Sequence, residues 1–224
     1  MRWADERAVV TGGSTGIGRA IVEELRARGA TVAWCSRRGG EGGIACDVRE
    51  EDQVARFADQ ARAALGGPPT LLVNNAGVVK WGTVATMSVA DWDAVLTTNL
   101  RGMFLVTRAF LPAMLEAGRG TIVNMASLAG RNPIKGGSAY AASKHAVLGF
   151  SKSLMLEARQ QGVRVIAVCP GSVDTPIFDD AQAPFDTHRD RMMQPADIAQ
   201  IILDTVALPD RAMVSELDIR PTQP

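Results

Sequence analysis

The sequence has little of what would assign it to several large protein classes. Its 224 residues carry 24 basic and 24 acidic side chains, so no net charge draws the chain to nucleic acid or to an anionic membrane. No apolar run approaches the roughly 18 residues of a membrane-spanning helix. The charged N-terminus, MRWADER, does not resemble a signal peptide. We therefore expect a cytoplasmic protein with no nucleic-acid or membrane partner.

Residues that bind metals are also scarce. The cysteines are far apart in the sequence, and two histidines are too few for a histidine metal site. Each cysteine lies in or beside an apolar run of strand length, which is typical of a buried, reduced thiol. The sequence therefore predicts no metal site and three buried thiols, at Cys35, Cys46 and Cys169.

What the chain does contain is an alternation of short apolar strands with helical segments. Its length suits one domain, expected over residues 1–224. Strands that are apolar throughout predict an α/β fold: a Rossmann-type, doubly wound parallel sheet of about seven strands with helices on both faces. The predicted strands are Arg7–Thr11, Ala30–Cys35, Gly43–Cys46, Thr70–Asn74, Thr121–Met125, Val163–Cys169 and Met213–Ile219. The main predicted helices after the first are Glu50–Leu65, Ser88–Gly118, Gly137–Gln161 and Pro195–Leu208.

Three residues of one stretch form a combination typical of proton transfer to or from oxygen. Tyr140 and Lys144 are four positions apart, so their side chains share a face of a helix. An ammonium close to a phenol stabilises the phenolate and lowers its pKa from about 10. The hydroxyl of Ser127 could hold a carbonyl oxygen against that phenol. The set predicts a general acid for reducing a ketone, or a general base for oxidising an alcohol.

The segment TGGSTGIG, which follows the first strand and opens the first helix, predicts a phosphate-binding turn. Glycine lets backbone amides approach a pyrophosphate, and the helix N-terminus offers unpaired N–H groups. An ordinary strand-to-helix turn is the alternative interpretation. We predict that a dinucleotide contacts Gly12, Ser14, Thr15, Gly16, Ile17 and Gly18.

The end of the second strand indicates which dinucleotide binds. A carboxylate there would bind the adenosine ribose and favour NAD(H), but the chain has Ser36, Arg37 and Arg38, with no acid before Glu41. An arginine can bind a 2′-phosphate through charge-assisted hydrogen bonds, each worth about 1.5–3 kcal/mol. The arginines could instead form a solvated turn. We predict that NADP(H) is preferred over NAD(H).

Five features stand in register along the chain, after the predicted strands. They are the motif TGGSTGIG, the motif Asn74-Asn75-Ala76-Gly77, the tetrad Asn99, Ser127, Tyr140 and Lys144, the pair Pro170-Gly171, and Thr175 beyond it. Together they resemble the short-chain dehydrogenase/reductase family, and the resemblance spans about residues 5–219.

The resemblance implies a role for each matching residue. Tyr140 would donate or accept the proton, Lys144 would lower its pKa and hold the nicotinamide ribose, and Ser127 would orient the substrate oxygen. Asn99 would hold a water that links Lys144 to solvent, and Asn74 would brace the central strands. The expected cofactor contacts are Asp47 and Val48 at the adenine, Ala76 and Gly77 near the adenosine ribose, Asn75 beside them, Pro170, Gly171 and Val173 at the nicotinamide, and Thr175 at its carboxamide.

Some of these assignments have structural alternatives. Asn99 could be only a polar residue within a helix, and Asp47 only a helix cap before Glu50. The segment 36–46 is too short for the helix that many family members carry there, so the adenine side is expected to be more open. His145 adjoins Lys144 and is expected to point away from the tyrosine, as a packing or interface residue.

The substrate is expected beside Tyr140, between three variable stretches: Val78–Met87, Leu128–Gly136 and Ile177–Met193. A partly apolar pocket is typical of small-molecule sites, and several prolines indicate an irregular lid over about residues 175–194. Aspartates in the third stretch leave no clear preference for an anionic substrate: Asp179, Asp180, Asp186 and Asp190. The pocket residues, some of which could merely pack the lid, are Val79, Trp81, Leu128, Ile134, Ile177, Phe178, Phe185, Met192 and Met193.

These residues predict an NADP(H)-dependent reductase of a ketone or aldehyde. The alternatives are an alcohol dehydrogenase that runs the reverse reaction, and a nucleotide-binding protein without turnover, which would be expected to lack the tyrosine or the lysine. The family resemblance also implies a homodimer or homotetramer assembled through the two long helices. The helix residues that could form that interface, or could instead face the sheet, are Leu148, Phe150, Leu154 and Met155.

Overall fold

Seven strands in the order β3-β2-β1-β4-β5-β6-β7 form one parallel sheet in this computed structural model, which describes residues 2–179 and 188–222. All six neighbouring pairs run parallel, as predicted for a doubly wound sheet. The strands are β1 Arg7–Thr11, β2 Thr31–Ser36, β3 Ile44–Ala45, β4 Leu71–Asn74, β5 Gly120–Met125, β6 Val163–Pro170 and β7 Glu216–Ile219.

Helices cover both faces of this sheet. Because side chains alternate along a strand, Ala8 and Val10 of β1 enter one core with α1 and α6, whereas Val9 enters the other core with α2, α4 and α5. Among the described residues, no helix combines the length and apolar character needed to cross a membrane. The helices are α1 Gly16–Ala27, α2 Glu51–Leu65, α3 Val89–Leu96, α4 Met103–Glu116, α5 Ser138–Ala158 and α6 Pro195–Val206.

The helix predicted from Ser88 to about Gly118 is present but is not α-helical throughout. It begins as predicted, since the Ser88 hydroxyl accepts a hydrogen bond from the Asp91 amide at 3.0 Å. Between α3 and α4, however, Thr97–Gly102 is π-helical. This segment contains Asn99, which is completely buried. Such π-helical turns recur at functional sites, and the periodicity of the sequence did not reveal this one.

The four residues considered for a subunit interface face the interior of this chain. Leu148 and Leu154 are buried, and Phe150 and Met155 are half-buried against the same cores. The alternative interpretation, that these residues face the sheet, is therefore confirmed for Leu148 and Leu154, and the subunit interface remains a prediction. The exposed face of α5 carries small or polar residues such as Ala142, His145 and Gly149, and near its end the apolar Leu156.

The sheet brings the ends of distant strands to one edge. Strand order reverses between β1 and β4, and in such sheets a crevice opens at this point beyond the carboxyl ends of the strands. The residues that end β1, β4, β5 and β6 are Thr11, Asn74, Met125 and Pro170. The three cysteines lie inside the sheet layers, buried and unpaired, as predicted.

Candidate functional site

A cleft of about 1020 Å³ opens at the carboxyl edge of the sheet. It is lined both by the glycine turn and by the Ser–Tyr–Lys set, which are more than a hundred residues apart in the sequence. The predicted site residues that line it are Gly12, Thr15, Gly16, Ile17, Arg37, Asn75, Gly77, Ser127, Tyr140, Lys144, Pro170, Gly171, Val173 and Thr175. Those that do not line it are Ser14, Gly18, Ser36, Arg38, Asp47, Val48, Ala76 and Asn99.

The glycine turn needs glycine for reasons that the structure makes explicit. Gly12 and Gly16 have φ values of +68° and +55°, in the left-handed region that other residues avoid. A Cβ atom at Gly18 would lie 2.2 Å from the carbonyl oxygen of Gly12 and 2.3 Å from Nδ2 of Asn75. Thr15, the N-cap of α1, makes no side-chain capping bond. The first amides of α1 therefore lack a side-chain cap, at a helix end suited to anions.

Asn75 connects this turn to the end of β4. Its Nδ2 donates to the carbonyl oxygens of Thr11 and Gly12 at 3.0 and 3.2 Å. In return, the Thr11 hydroxyl accepts from the amides of Asn75 and Ala76, both at 3.0 Å. Asn75 was assigned to cofactor binding from the sequence, and in the structure its amide group shapes the turn itself.

Asn74 braces the central strands, as predicted. Its Nδ2 donates to the Thr107 hydroxyl and to Oδ1 of Asn124, both at 2.9 Å. Asn124 donates in turn to the Ser151 hydroxyl at 3.0 Å. This buried chain of polar groups ties β4 and β5 to helices α4 and α5.

The side chain of Asn99 is fully engaged by neighbouring groups. Its Oδ1 accepts from the Val78 amide at 2.8 Å, and its Nδ2 donates to the Val78 carbonyl at 2.9 Å and to the Ser143 hydroxyl at 3.0 Å. A Cβ atom at Gly77 would lie 3.3 Å from Asn99 Oδ1 and 3.8 Å from Lys144 Nζ. Asn99 therefore fixes the backbone of Val78, which follows Gly77 beside Lys144. The water that Asn99 is expected to hold remains a prediction.

Ser127 and Tyr140 meet through their hydroxyl groups. The Ser127 side chain acts on the Tyr140 phenol and opposes the rise of its pKa. The Ser127 hydroxyl also accepts from the Ala129 amide at 3.1 Å and donates to the Pro170 carbonyl at 3.4 Å. Tyr140 lies on the first turn of α5 and packs against Trp81, with 6.5 Å between ring centroids. A loop after β5 and a helix start thus present two hydroxyls at one wall of the cleft.

Lys144 lies one turn further along α5 and is buried. Its Nζ donates to the Met125 carbonyl at 2.6 Å and lies 5.6 Å from the centroid of the Tyr140 ring. Burial lowers the pKa of its ammonium from 10.5 to about 8. The lysine is thus held beside the tyrosine, at the end of β5.

The pKa of Tyr140 moves in the opposite direction from the sequence expectation. Burial raises it above its ordinary value of 10, and the hydrogen bond from Ser127 opposes that rise. Lys144 does not contribute the expected lowering, and the desolvation of the phenol dominates the shift. Tyr140 is therefore a protonated phenol at neutral pH.

The end of β2 is cationic and exposed. Within the part of the chain that the structure describes, Arg37 and Arg38 are exposed and form no ion pair, and the nearby Ser36 hydroxyl donates to the Gly39 carbonyl at 2.7 Å. Arg37 lines the cleft. The short 39–43 loop lies on Trp34, since a Cβ atom at Gly43 would be 2.3 Å from that indole.

Asp47 neither caps α2 nor points unpaired towards an adenine. The Arg49 guanidinium binds its carboxylate, at 2.6 Å for the shortest contact, and the Arg49 amide donates to it at 3.0 Å. These bonds hold the pKa of Asp47 below its usual value. The N-cap of α2 is Glu50, so the helix-cap interpretation is wrong. Val48 is buried and packs against Gly102, where a Cβ atom would be 2.8 Å away.

The substrate side of the cleft contains most of the apolar residues predicted for it. Phe185 lies outside the described residues, and Met193 contributes backbone rather than lining, by pairing with Val173. Arg191, within the predicted lid, and Arg220 with Pro221, near the C-terminus, were missed. The predicted residues that line this side are Val79, Trp81, Leu128, Ile134, Ile177, Phe178 and Met192.

Comparisons with known proteins agree with this geometry. The family model described as short chain dehydrogenase matches residues 6–184. The chain is 35% identical to a (3R)-3-hydroxyacyl-CoA dehydrogenase of Canis lupus familiaris. The aligned region covers 79% of this chain and 77% of the dehydrogenase.

Two solved structures are similar along nearly the whole chain. The ligand-free aldohexose dehydrogenase of Thermoplasma acidophilum matches with a TM-score of 0.86 and 29% sequence identity. The match covers 98% of this chain and 94% of the dehydrogenase chain. A metagenomic short-chain oxidoreductase in complex with NADP matches with a TM-score of 0.82 and 39% sequence identity. The match covers 99% of this chain and 100% of the oxidoreductase chain. The protein is thus an oxidoreductase of a class that acts on hydroxyl or keto groups and uses NAD(P). This chain belongs to the short-chain dehydrogenase/reductase family.

Proposed function

We propose that the protein is an NADP(H)-dependent reductase of ketones or aldehydes with Tyr140 as general acid. The observation that carries this proposal is the placement of the Ser127 and Tyr140 side chains together in the cleft, beside buried Lys144. A carbonyl oxygen placed between the two hydroxyls would accept a hydrogen bond from each. As negative charge develops on that oxygen, Tyr140 would transfer its proton to it, while Ser127 keeps it in place.

The residues of the cleft fit a nicotinamide dinucleotide. The glycine turn leaves no room for side chains at Gly12 and Gly18, so backbone amides can approach a pyrophosphate at the start of α1. When bound, the cofactor supplies a hydride to a carbonyl carbon or accepts one from an alcohol. Lys144 would hold the nicotinamide ribose. The residues proposed to line the nicotinamide are Pro170, Gly171, Val173 and Thr175, all of which line the cleft.

A protonated Tyr140 suits the role of general acid that the proposed reduction requires. A phenol that stays protonated at neutral pH is ready to donate a proton, whereas oxidation of an alcohol requires the phenolate as base. The alternative, an alcohol dehydrogenase, is favoured by the names of the similar proteins, two of which are dehydrogenases. The third hypothesis, binding without turnover, has no support in a site that contains both the tyrosine and the lysine.

We expect NADPH to bind more tightly than NADH because of Arg37 and Arg38. Changing either to Gln should weaken NADPH binding about tenfold and leave NADH binding unchanged, since each charge-assisted hydrogen bond to the 2′-phosphate contributes about 1.5 kcal/mol or more. Fluorescence titration of the purified protein with each cofactor measures both affinities. Arg159→Gln, an exposed arginine outside the cleft, is the control. Tighter binding of NADH by the parent protein would overturn this preference.

We also expect the buried ammonium of Lys144 to make stability depend on pH. Between pH 8 and 10.5 the unfolded chain binds this proton more strongly than the folded protein, so the contribution of this group to stability rises with pH across that interval. Lys144→Met should therefore stabilise the cofactor-free protein by about 2 kcal/mol at pH 7, after subtraction of about 1 kcal/mol for the lost bond to Met125.

The stability gained by Lys144→Met over the parent protein should disappear as the pH approaches 10.5. Urea unfolding of both proteins at several pH values measures this difference. The exposed Lys135→Met is the control, for which we expect no such trend. A stability difference between Lys144→Met and parent that stays constant from pH 7 to 10 would refute this account.

We further propose that residues 1–224 form one catalytic domain that assembles into a cytoplasmic homodimer or homotetramer. Helices α3, α4 and α5 expose large apolar side chains, which support a subunit interface formed by these three helices. The side chains are Trp92, Phe104 and Leu156, which are 40%, 43% and 58% exposed.

A further inference from the structure

The cleft is positively charged although the chain as a whole has no net charge. Among the residues that the structure describes, its lining contains five lysine or arginine side chains, the histidine His188 and no carboxylate. The chain has 24 basic and 24 acidic residues, so this imbalance is local. The basic side chains are Arg37, Lys80, Lys144, Arg191 and Arg220.

Two of the five already have an assigned role, and two others have a carboxylate nearby. Lys144 is buried against the Met125 carbonyl, and Arg37 lies at the end of β2, where the adenosine phosphate is proposed. Lys80 lies 3.8 Å from the carboxylate of Asp91, and Arg220 lies 3.7 Å from that of Asp218. Arg191 and Arg220, on the substrate side of the cleft, have no assigned role.

Both remaining arginines lie next to the strand end that lines the nicotinamide side. The Gly171 amide donates to the Ile219 carbonyl at 2.8 Å, which fixes Arg220 immediately beyond it. The Met193 amide donates to the Ser172 carbonyl at 3.2 Å, which fixes the segment that carries Arg191. Two separate segments of the chain thus place an arginine close in sequence to the backbone that contacts 171–173, and both arginines line the cleft that contains Tyr140.

Nearby carboxylates are bound mainly by other cations. Asp218 accepts a hydrogen bond from Arg131 at 2.8 Å, while Arg220 lies 3.7 Å from it and its side chain is 59% exposed. Arg189 binds both Asp174 and Asp179.

Within the described ranges, Arg191 is exposed and forms no ion pair, and the neighbouring Asp190 does not line the cleft. Both guanidinium groups therefore keep donors available for a ligand.

We propose that Arg191 and Arg220 bind an anionic group of the substrate, so that the preferred substrates are carbonyl compounds with a carboxylate or phosphate beyond the apolar part of the pocket. This inference rests on the proposed reductase function and names its substrate class. It differs from the sequence analysis, in which the aspartates of the lid stretch indicated no such preference. Guanidinium groups suit both oxyanions, because each can donate two parallel hydrogen bonds to either.

Matched pairs of substrates test the proposal. A 3-oxo acid is compared with its methyl ester, and a 3-oxoacyl-CoA with the neutral thioester of N-acetylcysteamine, all with NADPH. We expect kcat/KM to be higher for the anionic member of at least one pair. Arg191→Gln and Arg220→Gln should each lower that value about tenfold, through KM, and leave the neutral member unchanged.

Controls separate this site from the cofactor site and from folding. Arg211→Gln, an exposed arginine outside the cleft, should have no effect on either pair. Affinity for NADPH should be unchanged in both variants, and a loss of that affinity would assign the arginines to the cofactor instead. Because long-range attraction between charges is screened by salt, the preference should also shrink as ionic strength rises.

Each outcome decides the question. A preference that Arg191→Gln or Arg220→Gln abolishes identifies a carboxylate when it occurs in the first pair and a phosphate when it occurs in the second; a preference that both variants keep overturns the proposal. Equal rates within both pairs overturn the proposal and leave the reductase function intact. If no carbonyl is reduced, the reductase function fails. Calorimetric titration of the 3-oxo acid into NADPH-saturated protein then tests the anion site alone. Binding that Arg191→Gln and Arg220→Gln weaken supports the site, and unchanged or absent binding refutes it.

Discussion

Tyr140→Phe is expected to lower kcat for carbonyl reduction by about 10²- to 10⁴-fold, the contribution typical of a general acid. Phenylalanine keeps the ring that packs against Trp81 but removes the hydroxyl that bonds Ser127. Because the proposed cofactor contacts lie mainly on other residues, NADPH affinity should stay within about threefold of the parent value, which is less than one lost hydrogen bond. Initial rates with NADPH, together with a fluorescence titration, measure both quantities.

A hydroxyl deleted two residues earlier provides the matched control. The Ser138 hydroxyl is buried on the first turn of α5 and has no hydrogen-bond partner among the described residues. Ser138→Ala should therefore keep parental kcat and unfold at the same or a slightly higher urea concentration. A Tyr140→Phe variant that reduces carbonyls at the parental rate would show that the proton comes from another group.

Gly18→Ala is expected to damage both the fold and the nucleotide site. The added methyl group would lie 2.2 Å from the Gly12 carbonyl oxygen and 2.3 Å from Asn75 Nδ2, and the first of these is backbone that cannot rotate away. Asn75 would be pushed from the two carbonyls that it binds, so the turn between β1 and α1 would shift. We expect a loss of about 2–4 kcal/mol in the free energy of unfolding.

In a protein of this length such a loss lowers Tm by about 5–15 °C. NADPH affinity should fall at least tenfold even at temperatures where the variant is folded, since the helix start no longer presents its amides in place. Thermal unfolding followed by circular dichroism, and cofactor titration well below Tm, test the two parts separately.

The same substitution in open space should have the opposite effect. Gly149 lies within α5 and a Cβ atom there would meet nothing within 4 Å. Gly149→Ala should stabilise the protein by about 0.5–1 kcal/mol, because alanine loses less backbone entropy in a helix. If Gly18→Ala had parental Tm and parental affinity, the close packing of the turn against Asn75 would be wrong.

Local features of the fold could be predicted because they depend on short-range backbone preferences. β1 has the predicted bounds, Ser88 caps the predicted helix, and Gly162 ends α5 and its last turn with a φ of +76°. Apolar strands between helices were enough for the parallel sheet, since only a sheet covered on both faces buries such strands. The spacing of Ser127, Tyr140 and Lys144 likewise placed the last two on one helix.

What could not be predicted depends on which distant groups become neighbours. Thr11 and Asn75 are 64 residues apart, yet their hydrogen bonds shape the turn. The π-helical segment around Asn99 is stabilised by contacts with Val78 and Ser143, 21 and 44 residues away. No local pattern encodes such pairs, because they exist only after the strands have assembled.

The sequence by itself thus determined the order of strands and helices, the family motifs and the chemical type of the site. Tertiary structure alone decided the protonation tendencies and the charge of the cleft. The pKa of Tyr140 is raised rather than lowered because burial outweighs its neighbours, and burial is a property of the packed chain. Among the described residues, a chain with balanced charge has a cationic cleft because folding pairs carboxylates such as Asp218 and Asp174 with Arg131 and Arg189, while Arg191 and Arg220 line the cleft.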